Sequence, residues 1–190
     1  MRVVKKPEER KAEMVAAASR LFAQQGFVRT SVAEIVSAVD VAKGLFYYYF
    51  TTKDDMVKAV VEGFTSYMGA EAYHIAAGQG TAREKVERLM NHEMFSRCFT
   101  EPLLADLCLP QHAALYSDMC DRVVDHMRPA VEVIVGQAMQ ERGMEMDAAQ
   151  ASRIAGVGMY GLLMMARRGE MSMRGAAEMF VRMTDAMIDA

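Results

Sequence analysis

The sequence predicts an all-α chain of about nine helices: a three-helix N-terminal unit followed by a helical bundle. Apolar residues recur at i, i+3, i+4, i+7 from end to end, and no period-two alternation is long enough to compete. Gly, Pro and Ser/Thr-x-x-Glu signals fall between those periodic runs, where helices start and stop. The chain has 190 residues, 52% hydrophobic and 25% charged, enough for one domain or two small ones sharing a core, and too apolar for a disordered chain.

Each element has its own warrant. Glu8 to Gln25 carries Val15, Ala18 and Phe22 at helical spacing, with Met14, Ala17 and Leu21 alongside, and Gly26 follows at the position where helices end in a left-handed turn. Ser31-Val-Ala-Glu34 is a capping box opening a short helix over residues 32–39, and a second short helix spans residues 42–49. Thr52, with Asp54 and Asp55 in the first turn, starts a longer helix through Met56, Val60, Phe64 and Met68. Gly69, Gly78 and Gly80 then predict a loose stretch, and Thr81-Ala-Arg-Glu84 opens the next helix. A short helix is expected over residues 102–109. A long one follows from Gln111 to Arg142, with a kink or break at Pro129, which has no backbone donor for the carbonyl of Asp125. Asp147 with Gln150 caps a helix ending at Gly169, and residues 172–190 form a last, amphipathic helix.

Charge and apolar run lengths narrow the class. The start is basic and then acidic, with no apolar stretch behind it, so no secretory leader is expected. The longest uncharged apolar run, Ile154 to Ala166, has 13 residues against the roughly 20 that a membrane span needs, so no membrane partner is expected. Three cysteines, Cys98, Cys108 and Cys120, make no disulfide framework, and the expected setting is the cytoplasm. The net charge of −3 hides an asymmetry: residues 1–53 carry +4 and residues 54–190 carry −7. A basic front on an acidic body is suited to meeting a polyanion at one end only. We therefore set the domain boundary there, between residues 1–53 and residues 54–190.

Two short helices joined by a tight turn and braced by a preceding amphipathic helix make a helix-turn-helix, here over residues 31–50. Its second helix is suited to a major groove. Lys43 and Gly44 stand at the start of that helix, Tyr47 and Tyr48 one turn later, and Lys53 at the next helix N-terminus, where an anion is favoured. Phe46 and Phe50 read as core residues seating the recognition helix.

The segment Arg10…Ala17-Ala-Ser-Arg-Leu-Phe22…Gly26-Phe27…Thr30-Ser-Val-Ala-Glu-Ile35 resembles the TetR family of bacterial transcriptional repressors. The likeness continues through Val41-Ala-Lys-Gly-Leu-Phe-Tyr-Tyr-Tyr-Phe50 and Thr51-Thr-Lys53…Met56, and covers about the first 68 residues. It implies DNA contacts at Ser31, Val32, Val41, Ala42, Lys43, Gly44, Tyr47, Tyr48 and Lys53. Ala42 departs from the usual Ser or Thr, removing a helix cap worth about 1 kcal/mol. Leu45 likewise replaces a commoner small or polar residue. The resemblance further implies a C-terminal helical bundle, residues 54–190, that dimerises and binds a small effector.

Within that bundle, Ala151, Ala155, Gly158 and Leu162 form a small-residue stripe. With Ala177, Phe180 and Thr184 of the last helix it is the expected homodimer interface. Of 19 methionines, 17 lie at residue 56 or beyond, where an unbranched, polarizable side chain suits an adaptable apolar pocket. Met90, Met94, Tyr116, Met119, Val123 and Met127 are the expected lining. The histidines and cysteines show no Cys-x-x-Cys or His-x-x-x-His pair, and no catalytic constellation is present, so neither a metal, a cofactor nor an enzyme is expected. The reading is a sequence-specific regulator, a repressor released from a palindromic double-stranded operator by an apolar or amphipathic ligand. A nucleoid-type DNA-binding protein without an effector and an all-helical enzyme are the alternatives.

Overall fold

The computed structural model describes residues 6–91, 101–143 and 147–189, with side chains through residue 183 and not at Glu101. Among these residues it contains nine α-helices, one 3-10 turn and no strand. The helices are α1 (Pro7–Gln25), α2 (Val32–Ala38), α3 (Lys43–Tyr49), α4 (Lys53–Ala77), α5 (Ala82–Asn91), α6 (Glu101–Cys108), α7 (Ala113–Arg142), α8 (Ala148–Arg167) and α9 (Met173–Asp189). The 3-10 turn, Pro110–His112, sits between α6 and α7. The chain divides into two compact units: residues 1–63 with 99–118, and residues 64–98 with 119–190.

In the first unit α1 packs against α2 and α6, and α2 against α3. The core is Met14, Ala17, Ala18, Phe22, Phe27, Ile35, Phe46, Phe50 and Met56 with Leu107 of α6, all buried. The caps are those the sequence promised. α1 ends at Gly26, whose φ of +80° is a conformation that L side chains rarely adopt. At α2 the Ser31 hydroxyl accepts from Glu34 N at 3.2 Å, and Glu34 Oε2 accepts from Ser31 N at 2.7 Å. Thr52 and Asp55 exchange the same kind of pair: Thr52 N donates to Asp55 Oδ2 at 2.8 Å, and Asp55 N to Thr52 Oγ1 at 3.1 Å.

In the second unit α8 packs on α9, and α9 on α5. Two expectations are corrected here. No loose stretch begins at Gly69, because α4 continues to Ala77. Gly69 is buried against α7: a Cβ there would lie 2.8 Å from both the carbonyl carbon and Cβ of His126, so glycine is what lets the two helices meet. Nor does Pro129 break α7, which is continuous from Ala113 to Arg142. Pro129 is exposed, while Met127, Ala130 and Ile134 are buried, and the helix runs on through the proline. A polar cluster ties α5 to α7: Glu141 accepts from Ala82 N at 3.2 Å, and Gln137 bridges the buried Lys85 ammonium and the carbonyl of Gly80.

Candidate nucleic-acid interface

α3 is seven residues long, too short to persist unless packing holds it. Phe46 and Phe50 supply that packing, with ring centroids 5.5 Å apart and both rings buried. Their burial turns the opposite side outward. Ala42, Lys43, Gly44, Tyr47 and Tyr48 are all exposed, Tyr47 at 53% and Tyr48 at 74%. Nothing lies within 4 Å of the position a Gly44 Cβ would take, so a large anion can approach the backbone there. The Lys43 ammonium sits 6.0 Å from the Tyr47 ring centroid. At the N-cap, Ala42 makes no side-chain hydrogen bond, so the first α3 amides have no side-chain cap. Ser31 is exposed, Val32 and Val41 half-buried.

Glu34 bonds Gln25 Nε2 at 3.1 Å as well as Ser31. The backbone and hydroxyl bonds from Ser31, then that from Gln25, hold its carboxyl below the ordinary glutamate value. A depressed folded-state pKa means that the cap stabilises above the unfolded value and is lost only as pH falls through the folded one. The start of α2 is therefore intact at neutral pH.

Lys53 is in a different environment from the one its position suggested. Its half-buried ammonium donates to the carbonyls of Phe27, Val28 and Thr30 at 2.9, 3.4 and 3.3 Å. An ammonium has three protons, and these three acceptors use them. Lys53 therefore closes the turn between α1 and α2 instead of standing free for a phosphate. The same turn holds residues that sequence reasoning missed. Val28 N donates to Asp106 Oδ2 at 2.8 Å, and the Phe27 ring lies 4.8 Å from His112. Asp106 is 78 residues from Val28 and sits mid-helix in an ordinary amphipathic segment, so no local pattern marks it.

The expected pocket residues Tyr116, Met119, Val123 and Met127 are buried along one side of α7, and Met90 is half-buried. Met94 lies outside the described residues. A separate groove of about 370 Å³ runs between α7 and α8, with Val124, Val131, Gly156 and Tyr160 among its walls and Arg128 and Arg153 beside them. None of the expected pocket residues lines it.

The stripe assigned to the dimer differs more. Ala151, Ala155 and Leu162 are buried inside the protomer, where Ala151 packs on Val135 and Met139 of α7. The small residues do allow close approach, but to neighbours in the same chain. A Cβ on Gly156 would lie 3.1 Å from Val124 Cγ1, and one on Gly158 3.2 Å from Met183 Cε. Ala177 and Phe180 are half-buried, and the side chain of Thr184 lies outside the described residues. The exposed apolar residues of these helices are Ile154, Val157, Met179 and Met183.

Among the described residues the chain is all-helical, with a helix-turn-helix whose second helix turns lysine, glycine and two tyrosines to solvent. Residues 14–60 match the family described as bacterial regulatory proteins, tetR family. Over this N-terminal segment the chain is therefore similar to the TetR family. It is 40% identical over 50 residues to the HTH-type transcriptional regulator HbdR of Aromatoleum sp. (strain CIB), covering 26% of this chain and 22% of HbdR. It is 26% identical over 104 residues to the HTH-type transcriptional repressor NemR of Escherichia coli K12, covering 50% and 52%. The chain thus spans about half, or less, of the length of these relatives. Beyond that region the likeness is of fold. The crystal structure of reduced E. coli NemR superposes with a TM-score of 0.57 at 16% identity, over 88% of this chain and 94% of that one. RolR without ligand gives 0.65 at 17%, over 91% and 89%. Among the described residues no helix is long and apolar enough to cross a membrane.

Proposed function

We propose that this protein is a sequence-specific transcriptional repressor that binds a palindromic double-stranded operator as a homodimer and leaves it when a small apolar or amphipathic ligand enters the bundle. The observation that carries the reading is the outward face of α3, where Lys43, Gly44, Tyr47 and Tyr48 are exposed together on a helix seated by Phe46 and Phe50. Phosphate contacts come from the tyrosine hydroxyls and the uncapped α3 amides, and Lys43 reaches base edges. In a homodimer, two such helices enter successive major-groove faces about 34–36 Å apart. The exposed Ile154, Val157, Met179 and Met183 supply an apolar surface for a second copy. Buried methionines on α7 suit an adaptable apolar site.

The test is fluorescence anisotropy on the duplex flanking the protein's own gene against a scrambled duplex, at two salt concentrations. Selective binding by two or four protomers is expected. Lys43→Ala lowers discrimination between the two duplexes, whereas Tyr47→Phe weakens both alike. Equal, salt-driven binding to both duplexes by the unmodified protein refutes the reading.

A further inference from the structure

Two helices, α4, which continues beyond residue 63, and α6, which lies within the first unit, grip one turn of that unit, each by a different set of atoms. Lys53, at the start of α4, takes the carbonyls of Phe27, Val28 and Thr30. Asp106, on α6, takes the amide of Val28 at 2.8 Å. The α6 side of the grip is built closely. Gly26 lies so near the Asp106 carboxylate and the Pro102 carbonyl that a Cβ would be 3.0 Å from Asp106 Cγ and 3.2 Å from Pro102 O. His112 Nδ1 donates to the backbone carbonyl of Asp106 at 2.7 Å, and its ring lies 4.8 Å from Phe27. Leu107 is buried beside this contact. From the turn the bonding continues into the helix-turn-helix. Thr30 Oγ1 donates to Gly26 O at 2.6 Å, and Gln25 Nε2 bonds both Thr30 Oγ1 and Glu34 Oε1, the carboxylate of the α2 capping box.

We propose that Asp106 is a positioning residue of the DNA-binding site. Its carboxylate holds the turn over residues 26–30, so that displacement of α6 reaches α2 and α3 by a route separate from α4. The proposal rests on the regulator reading above and adds a second linkage to it. Its chemistry is a carboxylate accepting from a backbone amide, a charge-assisted bond. Through the 3-10 turn, α6 leads directly into α7, the helix that carries Met119, Val123 and Met127. A ligand that shifts the start of α7 therefore pulls on Val28 through Asp106, while one that tilts α4 pulls on the opposite edge of the turn through Lys53.

Hydrogen exchange of the full chain, read by mass spectrometry, tests the linkage. Without DNA, Asp106→Ala should speed exchange over residues 26–38 at least threefold while α5 and α8 keep their wild-type rates. Asp106→Asn, which retains an acceptor oxygen, should restore most of the protection. With the bound duplex, wild type should gain protection in α3 and also in α6, and Asp106→Ala should keep the first and lose the second. Unchanged exchange over residues 26–38 in the alanine variant, or α6 protection that survives in it, overturns the proposal. If that variant does not fold, wild type decides alone: α6 rates unaffected by DNA overturn it. A chain that binds no duplex refutes the regulator reading instead, and the DNA-free comparison still decides whether Asp106 holds the turn.

Discussion

A lysine at the N-terminus of the helix that follows a helix-turn-helix has two kinds of partner open to it, a phosphate outside the protein or carbonyls inside it. Residue type and spacing do not separate them. The acceptors of Lys53 are brought to it from 23–26 positions earlier by the packing of α1 against α2, which no local pattern encodes. The same limit hid Asp106. What was legible at this scale was what depends on near neighbours: the Ser31–Glu34 box, the Gly26 stop, the bare cap at Ala42, and Phe46 and Phe50 as the seat of α3. The distinction can be measured. Lys53→Ala should destabilise the protein by about 1–2 kcal/mol in chemical denaturation, since it frees three carbonyls at a half-buried site. Tyr47→Phe, at an exposed ring, should leave stability within about 0.5 kcal/mol. If Lys53→Ala costs DNA affinity with no loss of stability, the ammonium is not held by the turn.

Helix existence and order were readable throughout, because periodicity and caps are local. The loose stretch expected from Gly69 came from reading glycine as punctuation where packing had placed it in a helix, and at Pro129 the helix runs on without a break. Gly69 and Gly63, both inside α4, show the two meanings one residue type can have. At Gly63 nothing lies within 4 Å of a Cβ, so Gly63→Ala should stabilise by up to about 1 kcal/mol through helix propensity. At Gly69 the neighbouring atoms are backbone of α7 and cannot move aside, so Gly69→Ala should destabilise by about 1–3 kcal/mol. Thermal melts of the two variants side by side check both signs, and a stabilising Gly69→Ala would mean that the α4–α7 crossing is looser than described. The same crossing brings His126 Nδ1 to 3.1 Å from Thr65 Oγ1, a polar contact beside the glycine.

At the scale of the whole molecule, composition separated a basic front from an acidic body, and the small-residue stripe on α8 correctly signalled close helix packing. It did not say with which helix. A stripe of Ala and Gly lets any helix approach, and within this protomer α7 and Met183 of α9 take that space. The side of α8 left over is Ile154 and Val157, the latter 75% exposed. If a second copy covers that side, Val157→Lys should convert a dimer to monomers in sedimentation at micromolar concentration while the melting curve of the protomer is little changed. Ala155→Lys, at a buried position, should unfold the protein instead. A Val157→Lys protein that still sediments as a dimer moves the interface elsewhere.

The exposed tyrosines of α3 have an optical consequence. The chain has no tryptophan and seven tyrosines, so its near-ultraviolet emission comes from tyrosine alone. Three of the seven, Tyr47, Tyr48 and Tyr49, are consecutive in α3, and the first two stand in solvent. A nucleobase or phosphate arriving at that helix therefore meets a large share of the molecule's fluorophores. If α3 enters a groove as proposed, the unlabelled protein carries its own reporter of that step, with a signal concentrated in the element that moves against the duplex.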